Sequence, residues 1–185
     1  MYGNSTYSRG HMIPQADRKS DDTMNSQTYY VTNQTPQRQN NFNGSIWGSL
    51  EEATRGLVSS ASDTVYVVTG PAYRTVGGNE TIEYLTGAEG KNANPENLAI
   101  PNYFWKALLK VKWNGNMIES ASAIGFWFEH RDYSSKETYA QFAVSIDEIE
   151  RRTGFDLFAN LPGSDTSGIE KTAEANTSWT AFQSF

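Results

Sequence analysis

Residues 28–60 read TYYVTNQTPQRQNNFNGSIWGSLEEATRGLVSS, and the changes of pattern within this stretch decide the local fold. Residues 28–32 are β-branched and aromatic, which predicts a strand. Residues 33–43 are polar with a single proline, which predicts a loop. From residue 44 to residue 60 apolar side chains recur at near-helical spacing. We therefore expect a helix there, with Asn43 at or near its N-cap.

The residues on either side of this stretch predict further elements. Residues 1–27 read as irregular, with a short helix near Asp21–Gln27. Residues 64–69 (TVYVVT) predict a buried strand that Gly70-Pro71 ends. Residues 77–97 hold glycines, asparagines and a proline, so we expect a long surface excursion there.

The second half of the chain predicts a β-hairpin and one short helix. Strands are expected at Tyr103–Trp113 and Ser120–Phe128, with Asn114-Gly115-Asn116 as the turn between them. The residues Ser145-Ile146-Asp147-Glu148 form a capping box, which predicts a helix that stops at Gly154. An antiparallel sheet accompanied by few helices indicates the α+β fold class.

Length and composition are those of one folded domain. The chain has 185 residues with 5 Trp, 10 Tyr and 9 Phe, an aromatic content that excludes a disordered chain. We expect one domain over residues 1–185, with the sheet and its last helix over about 64–162 and a polar tail at 163–185 that frays. The absence of cysteine excludes disulfides and thiolate chemistry. No apolar run approaches the length that would cross a membrane.

The net charge of −6 is unevenly distributed along the chain. Residues 1–75 hold six basic and six acidic side chains, whereas residues 76–185 hold nine basic and fifteen acidic ones. An acidic protein argues against nucleic acid as a partner. The neutral first part nevertheless allows a local basic cleft on an acidic body.

Only two histidines are available as a base that titrates near neutral pH. His11 follows a glycine in SRGHMIPQADR (8–18), between Arg9 and Arg18, and arginines suit phosphate binding. His130 ends the stretch GFWFEH beside charged residues, and we interpret it as an exposed side chain at a strand end. The residues alone leave open whether His11 is catalytic.

A second polar group lies along the predicted helix. Four residues at intervals of four occupy neighbouring faces of that helix: Asn43, Trp47, Glu51 and Arg55. Polar side chains beside a helix start are consistent with a site. The alternative is an N-cap followed by an exposed Glu51–Arg55 pair, which is a common arrangement.

Two blocks of sequence resemble the DNA/RNA non-specific endonuclease family, which includes endonuclease G and secreted bacterial nucleases. The stretch SRGHMIPQADR (8–18) resembles the family signature, whose usual form is Asp-Arg-Gly-His. Residues 32–55 resemble the second block, an Asn-x-x-Pro-Gln loop followed by Asn and by Trp-x-x-Leu-Glu. Weaker similarity continues through YVVTGP, IPNYFWKALLK and VSIDEIERRTGFDLFANLP. The resemblance therefore covers about residues 7–162.

The resemblance implies a ββα-metal (His-Me finger) catalytic motif over about residues 7–60 that hydrolyses phosphodiester bonds without sequence specificity. His11 would be the general base. Asn43 would be the one protein ligand of a Mg²⁺ ion otherwise held by water, with Mn²⁺ able to substitute. Glu51 would hydrogen-bond to the hydration shell of that ion.

The same resemblance implies DNA and RNA as substrates, held through the phosphate backbone. Arg9 and Arg55 would contact the scissile phosphate during catalysis, and Asn33 would help shape the substrate site. Secretion or a periplasmic location is expected from the relatives, and no membrane association.

Two departures from the family pattern leave alternatives open. Ser8 stands where the family usually has Asp. Only ten residues precede His11, so we expect the family's N-terminal portion to be missing and a sheet edge to be exposed. One alternative is a catalytically inactive nucleic-acid-binding module of the same fold. Another is a carbohydrate-binding surface domain, which the many Trp, Tyr and Asn side chains would suit.

Overall fold

A two-stranded antiparallel hairpin opens the structure, a computed structural model that describes residues 6–58, 60–85, 98–160 and 177–184. In the hairpin His11 pairs with Gln34. Gly10 is required because a Cβ at this position would collide with the buried side chain of Gln37. The elements of this part are, in order, strand β1 (Tyr7–His11), a 3-10 turn (Gln15–Arg18), helix α1 (Asp22–Gln27), a second 3-10 turn (Val31–Asn33) and strand β2 (Gln34–Arg38).

The strand predicted at residues 28–32 is wrong, and the loop predicted at residues 33–43 contains strand β2 instead. The backbone N–H and the hydroxyl of Thr28 both donate to the Asn25 carbonyl, which closes α1. A 3-10 turn follows, so helix closure overrides the β-propensity of TYYVT. The short helix near Asp21–Gln27 is confirmed, with the Asp21 side chain as its N-cap.

The helix predicted over residues 44–60 starts earlier and in a different geometry. A nine-residue π-helix (Gln39–Trp47) leads directly into helix α2 (Gly48–Arg55). Asn43 lies inside the π-helix, so its predicted N-cap role is wrong. π-Helical turns are rare and are found frequently at functional sites.

A four-stranded antiparallel sheet forms the centre of the protein, in the order β3-β6-β7-β8. The remaining strands are, in chain order, β3 (Asp63–Ala72), β4 (Glu83–Tyr84), β5 (Ala99–Ile100), β6 (Tyr103–Asn114), β7 (Met117–Glu129) and β8 (Ala143–Val144). The predicted β6–β7 hairpin is confirmed, with Gly115 in the left-handed conformation (φ 62°).

Strand β3 differs from its prediction in length and in burial. It continues through Gly70-Pro71 to Ala72, because proline is tolerated where no neighbouring strand needs its missing N–H. Within the described part of the chain, β3 pairs only with β6, and its outer edge is open. Tyr66 and Val67 are therefore exposed rather than buried.

Two helices complete the structure. Helix α3 (Ile146–Thr153) begins at Ser145 and ends at Gly154 in the left-handed conformation, as predicted. Helix α4 (Trp179–Gln183) buries Trp179 and Phe182, so this part of the predicted fraying tail packs on the core. Residues 163–176 of that tail lie outside the described residues. None of the helices in the described ranges has the length and apolar character needed to span a membrane.

The two faces of the sheet pack against different helices. Phe104 and Leu108 of β6 pack with the π-helix, α2 and α4, whereas Trp105 and Leu109 pack with α3. This alternation follows from the two-residue period of a strand. The first face also carries the β1–β2 hairpin segment, and the candidate site lies on that side.

Candidate functional site

His11 is the last residue of β1 and is half-buried against Tyr29, whose ring centroid lies 5.3 Å from that of His11 in an edge-on arrangement. Burial lowers the pKa of His11 below its ordinary value of 6.5. The Arg9 guanidinium lowers this pKa further, while a hydrogen bond to the Arg9 carbonyl opposes the shift. The imidazole is therefore neutral at pH 7, the form that accepts a proton.

Asn33 forms hydrogen bonds with the backbone of the segment that follows His11. Its Oδ1 accepts from the Ile13 backbone N–H (2.9 Å), and its Nδ2 donates to the carbonyls of Ile13 (3.0 Å) and Thr28 (2.9 Å). The Asn33 carbonyl also accepts from Met12 N–H (3.0 Å). These bonds connect Asn33 to the backbone of residues 12, 13 and 28 and engage its amide nitrogen twice.

Asn43 is held in place by the residue that departs from the family signature. Its Nδ2 donates to Ser8 Oγ (2.8 Å), and Ser8 Oγ donates to the Gln37 carbonyl (3.2 Å). This network orients the amide and leaves Oδ1 as the atom available to a cation. Ser8 and His11 lie three residues apart on β1, about 10 Å along the strand.

Glu51 lies on α2 in a partly buried position. Burial raises the pKa of this carboxyl to about 7, the buried ammonium of Lys106 opposes that rise, and Asp17 adds to it. Close to neutral pH, Glu51 is therefore balanced between its protonated and ionised forms. Its neighbours decide which of the two prevails.

The two arginines expected to bind phosphate differ in their surroundings. Arg9 is exposed on β1. Arg55, the last residue of α2, forms an ion pair with Asp17 at 3.1 Å between Nη1 and Oδ1. Asp17 belongs to the 3-10 turn six residues after His11, so this ion pair joins α2 to the segment that leaves β1.

The donor set fits a hard divalent cation. An amide oxygen on Asn43 and a carboxylate on Glu51 are oxygen ligands of the kind that Mg²⁺ prefers while it keeps most of its water. Over the described ranges, no cluster of three or more His, Cys, Asp or Glu side chains forms an alternative metal site. The residues present thus suit a weakly ligated, hydrated ion.

His130 is not the exposed strand-end side chain expected from the sequence. Its Nε2 accepts from Arg38 N–H (2.9 Å), and its Nδ1 bonds to the Pro101 carbonyl (2.8 Å). Its ring packs edge-on against Phe42 and Phe104, at centroid distances of 5.3 and 4.9 Å. Burial lowers the pKa of His130 to about 4. His130 is therefore a neutral structural residue with both nitrogens engaged.

Two residues near the site were missed in the sequence. Ser8 departs from the family pattern, yet it orients Asn43. Lys106 lies in the middle of β6 and is only 1% exposed. The available signal was the stretch FWKALLKVK, in which lysines interrupt an otherwise apolar strand on one face.

Comparison with known proteins identifies a family. The model of the DNA/RNA non-specific endonuclease family matches residues 1–164. The mitochondrial nuclease 1 of Schizosaccharomyces pombe is 30% identical over 164 residues, which are 87% of this chain and 49% of that protein. The nuclease of Serratia marcescens is 31% identical over 83% of this chain and 52% of its own length. The chain thus spans about half the length of these curated relatives.

A solved structure shares the fold. One chain in the crystal structure of the EndoG/EndoGI complex superposes with a TM-score of 0.68 and 26% sequence identity. The match covers 84% of this chain and 60% of that chain. The mixed architecture of antiparallel sheets with few helices is therefore one that a known nuclease complex also contains.

Proposed function

Because the chain belongs to the DNA/RNA non-specific endonuclease family, we propose that it hydrolyses phosphodiester bonds of DNA and RNA with little sequence preference. One observation carries the proposal. The strand that ends in the neutral base His11 also fixes the orientation of Asn43, through the hydrogen bond from Asn43 to Ser8. A base and a cation ligand organised by one strand suit hydrolysis of a phosphate ester.

His11 is the general base of the proposed reaction. Its lowered pKa keeps the imidazole unprotonated at pH 7, so it can take a proton from a water molecule that attacks phosphorus. The Arg9 carbonyl holds the ring through a hydrogen bond, and the Tyr29 ring limits its rotation. A positioned base of this kind contributes roughly 10²–10⁴ in rate.

Asn43 and Glu51 are the residues proposed to hold Mg²⁺, or Mn²⁺ in its place. Asn43 would be the direct ligand through Oδ1, and Glu51 would accept hydrogen bonds from the bound waters. The ion would neutralise charge that develops on the phosphate and the leaving oxygen. Glu51 is useful in this role only when ionised, which makes its surroundings part of the site.

Substrate would be held through its backbone. Arg9 is exposed on β1, two residues before His11, and would donate to a phosphate. Arg55 would also donate to it, after exchanging Asp17 for the phosphate. Contacts of this kind position a strand without reading its bases. The first 75 residues, which include Arg9 and Arg55, carry no net charge, and the net −6 of the chain comes from residues 76–185.

Nicking of supercoiled plasmid with and without Mg²⁺ tests the proposal. The chain should nick in Mg²⁺ and stop in excess EDTA, and His11→Ala should lose roughly 10²–10⁴ of the rate. His130→Gln is the matched control, because it removes the other histidine and should leave the rate at pH 7.5 intact. DNA binding without cleavage would indicate an inactive module, and glycan binding alone would indicate a carbohydrate-binding domain.

The location of the protein is a separate part of the proposal. Its relatives include nucleases whose names are mitochondrial and nucleases from bacteria, so the relatives do not indicate one compartment. We retain secretion or a periplasmic location. Fractionation of the native host tests it, and activity confined to the cytoplasmic fraction would contradict it.

A further inference from the structure

A cavity of about 310 Å³ begins two residues after His11, at Ile13. Its other walls come from the end of the first 3-10 turn, from α1 and from the second 3-10 turn. Since consecutive Cα atoms lie about 3.8 Å apart, the Cα atoms of His11 and Ile13 are separated by at most about 7.6 Å. Neighbouring nucleotides of a stacked strand rise about 3.4 Å. A strand whose scissile phosphate lies at His11 would therefore have one of its nearest nucleotides at this cavity.

Hydrogen bonds hold the walls of the cavity together. Asn33 of the second 3-10 turn bonds to both backbone groups of Ile13 and to the Thr28 carbonyl. Two amide side chains join the first 3-10 turn to α1: Asn25 Nδ2 donates to the Gln15 carbonyl (3.2 Å), and Gln15 Nε2 donates to Asn25 Oδ1 (3.4 Å). These bonds fix the walls relative to one another, as is usual for sites that bind small ligands.

The apolar part of the cavity is open to solvent. Ile13 and Met24 line it and are 47% and 44% exposed. Tyr29, Tyr30 and Val31 are exposed in the same segment, and the ring of Tyr29 also contacts His11. These five are among only twelve large hydrophobic side chains that are exposed in the described part of the chain. Such a concentration of exposed apolar surface indicates an interaction site.

Three polar side chains of the cavity are available to a ligand. Arg18 belongs to none of the ion pairs formed among the described residues. Within the same residues, the Gln27 amide and the Thr32 hydroxyl form no hydrogen bond. Gln27 lies three residues after Met24 on α1, so the two side chains share a face of that helix. Apolar walls with a few free polar groups are typical of a site that binds one small, flat molecule.

Resting on the proposed function, we propose that this cavity is a nucleobase subsite, which holds the unstacked base of a nucleotide close to the scissile phosphate. The face of the base packs against Ile13 and Met24. Gln27 and Thr32 bond to its edge, and Arg18 donates to the phosphate of the same nucleotide. An amide carries both a donor and an acceptor, so the subsite accepts different bases. Because a base must leave its stack to enter, single strands bind there more readily than duplex.

Methyl NMR in EDTA, without metal, tests the subsite with two probes, adenosine 5′-monophosphate and ribose 5-phosphate. The nucleotide should shift the methyl signals of Ile13 and Met24 and bind about ten-fold more tightly than the sugar phosphate, because contact with a base contributes on that order. Equal affinity of the two probes, or shifts confined to other methyl groups, would overturn the proposal.

Met24→Ala removes one apolar wall and should bring the affinity for adenosine 5′-monophosphate close to that for ribose 5-phosphate. Met117→Ala is the matched control, since Met117 is an exposed methionine at the start of β7. An unchanged affinity in Met24→Ala, or the same loss in both variants, contradicts the assignment. Ile13→Ala repeats the test on the opposite wall if Met24→Ala does not fold.

A second pair of variants tests the phosphate contact. Arg18→Gln should weaken both probes about ten-fold, because both carry the phosphate to which the guanidinium donates. Lys19→Gln makes the same change of charge at the next residue, which is exposed and does not line the cavity, and should leave both affinities in place. Equal effects of the two substitutions would show that only overall charge matters and would remove Arg18 from the subsite.

Cleavage of single-stranded oligonucleotides containing one abasic residue connects the subsite to the proposed reaction. Bonds next to the missing base should be cut about ten-fold more slowly than in the intact strand, and Met24→Ala should cut both strands at the same rate. A rate that ignores the missing base would refute the subsite and leave the proposed function standing. Conversely, nucleotide binding at Ile13 and Met24 without cleavage of any substrate would refute the proposed function and leave the subsite standing.

Discussion

Replacing His130 with glutamine should make the free energy of unfolding less sensitive to acid. Between pH 7.5 and pH 5 the variant should lose about 2 kcal/mol less of this free energy than the unsubstituted protein. Burial holds the pKa of His130 at about 4 in the folded state, whereas the unfolded chain takes a proton near 6.5. Between these two values only the unfolded state binds the proton. Stability is therefore full above pH 6.5 and falls as the pH drops towards 4.

The magnitude follows from the two pKa values. One pKa unit corresponds to about 1.4 kcal/mol, so protonation of the unfolded chain at pH 5 costs the native state about 2 kcal/mol relative to pH 7.5. Glutamine is neutral at every pH, and its amide oxygen can still accept from Arg38 N–H. Glu51 acts in the opposite direction, since its raised pKa favours the folded state as the pH falls from 7 to 4.5. The effect of His130 on the pH dependence of stability is therefore measured by comparing the unsubstituted protein with His130→Gln.

Urea unfolding of the unsubstituted protein and of His130→Gln, each at pH 7.5 and pH 5.0, measures that difference. The variant is expected to be less stable at pH 7.5, since it loses a hydrogen bond and ring contacts. The decisive quantity is the difference in unfolding free energy between the two proteins, which should be smaller at pH 5.0 than at pH 7.5. A gap that is the same at both pH values, within about 0.5 kcal/mol, would mean that His130 titrates normally and that its buried, neutral assignment is wrong.

Three further predictions concern the site and the C-terminal helix. Ser8→Ala should weaken Mg²⁺ binding by about 10-fold or more in calorimetry, because Asn43 loses the group that orients it, and unchanged affinity would remove that role from Ser8. Asp17→Asn should lower KM for DNA at low salt by freeing Arg55, and the gain should vanish at high salt; a KM that does not fall would place Arg55 away from the phosphate. Phe182→Ala should cost about 3–5 kcal/mol of unfolding free energy in urea melts, because Phe182 is fully buried, and a loss under 1 kcal/mol would mean that α4 does not pack on the core.

Residues close together in the sequence were sufficient to predict the β6–β7 hairpin and helix α3. The β6–β7 turn has a glycine where a left-handed residue is needed, and α3 has Ser145 and Gly154 at its two ends. These features depend on neighbouring residues alone, so the sequence is sufficient to predict them. The resemblance of two blocks likewise predicted the family that the comparisons identify.

The errors arose where distant contacts decide the outcome. Nothing beside His130 in the sequence indicates that Arg38 and Pro101 will engage both of its nitrogens. The β-rich stretch TYYVT adopts a turn because α1 closes on Thr28. Residues spaced by four share neighbouring faces in a regular α-helix, whereas Asn43 lies in a π-helix packed against the sheet. The assigned roles of His11 and Asn43 remain predictions that the proposed experiments test.

The missing Cβ of Gly10 affects how a mutational scan of this protein should be read. A methyl group at Gly10 would meet the side chain of Gln37. The backbone carbonyl of the same residue accepts from Ser8 Oγ, and Ser8 Oγ in turn accepts from the Asn43 amide. Gly10→Ala would therefore disturb the orientation of Asn43 from a position to which no role in catalysis is assigned. If Gly10→Ala abolished the proposed activity, the loss would reflect a steric clash passed on through Gln37 and Ser8, and would not identify Gly10 as a reacting group.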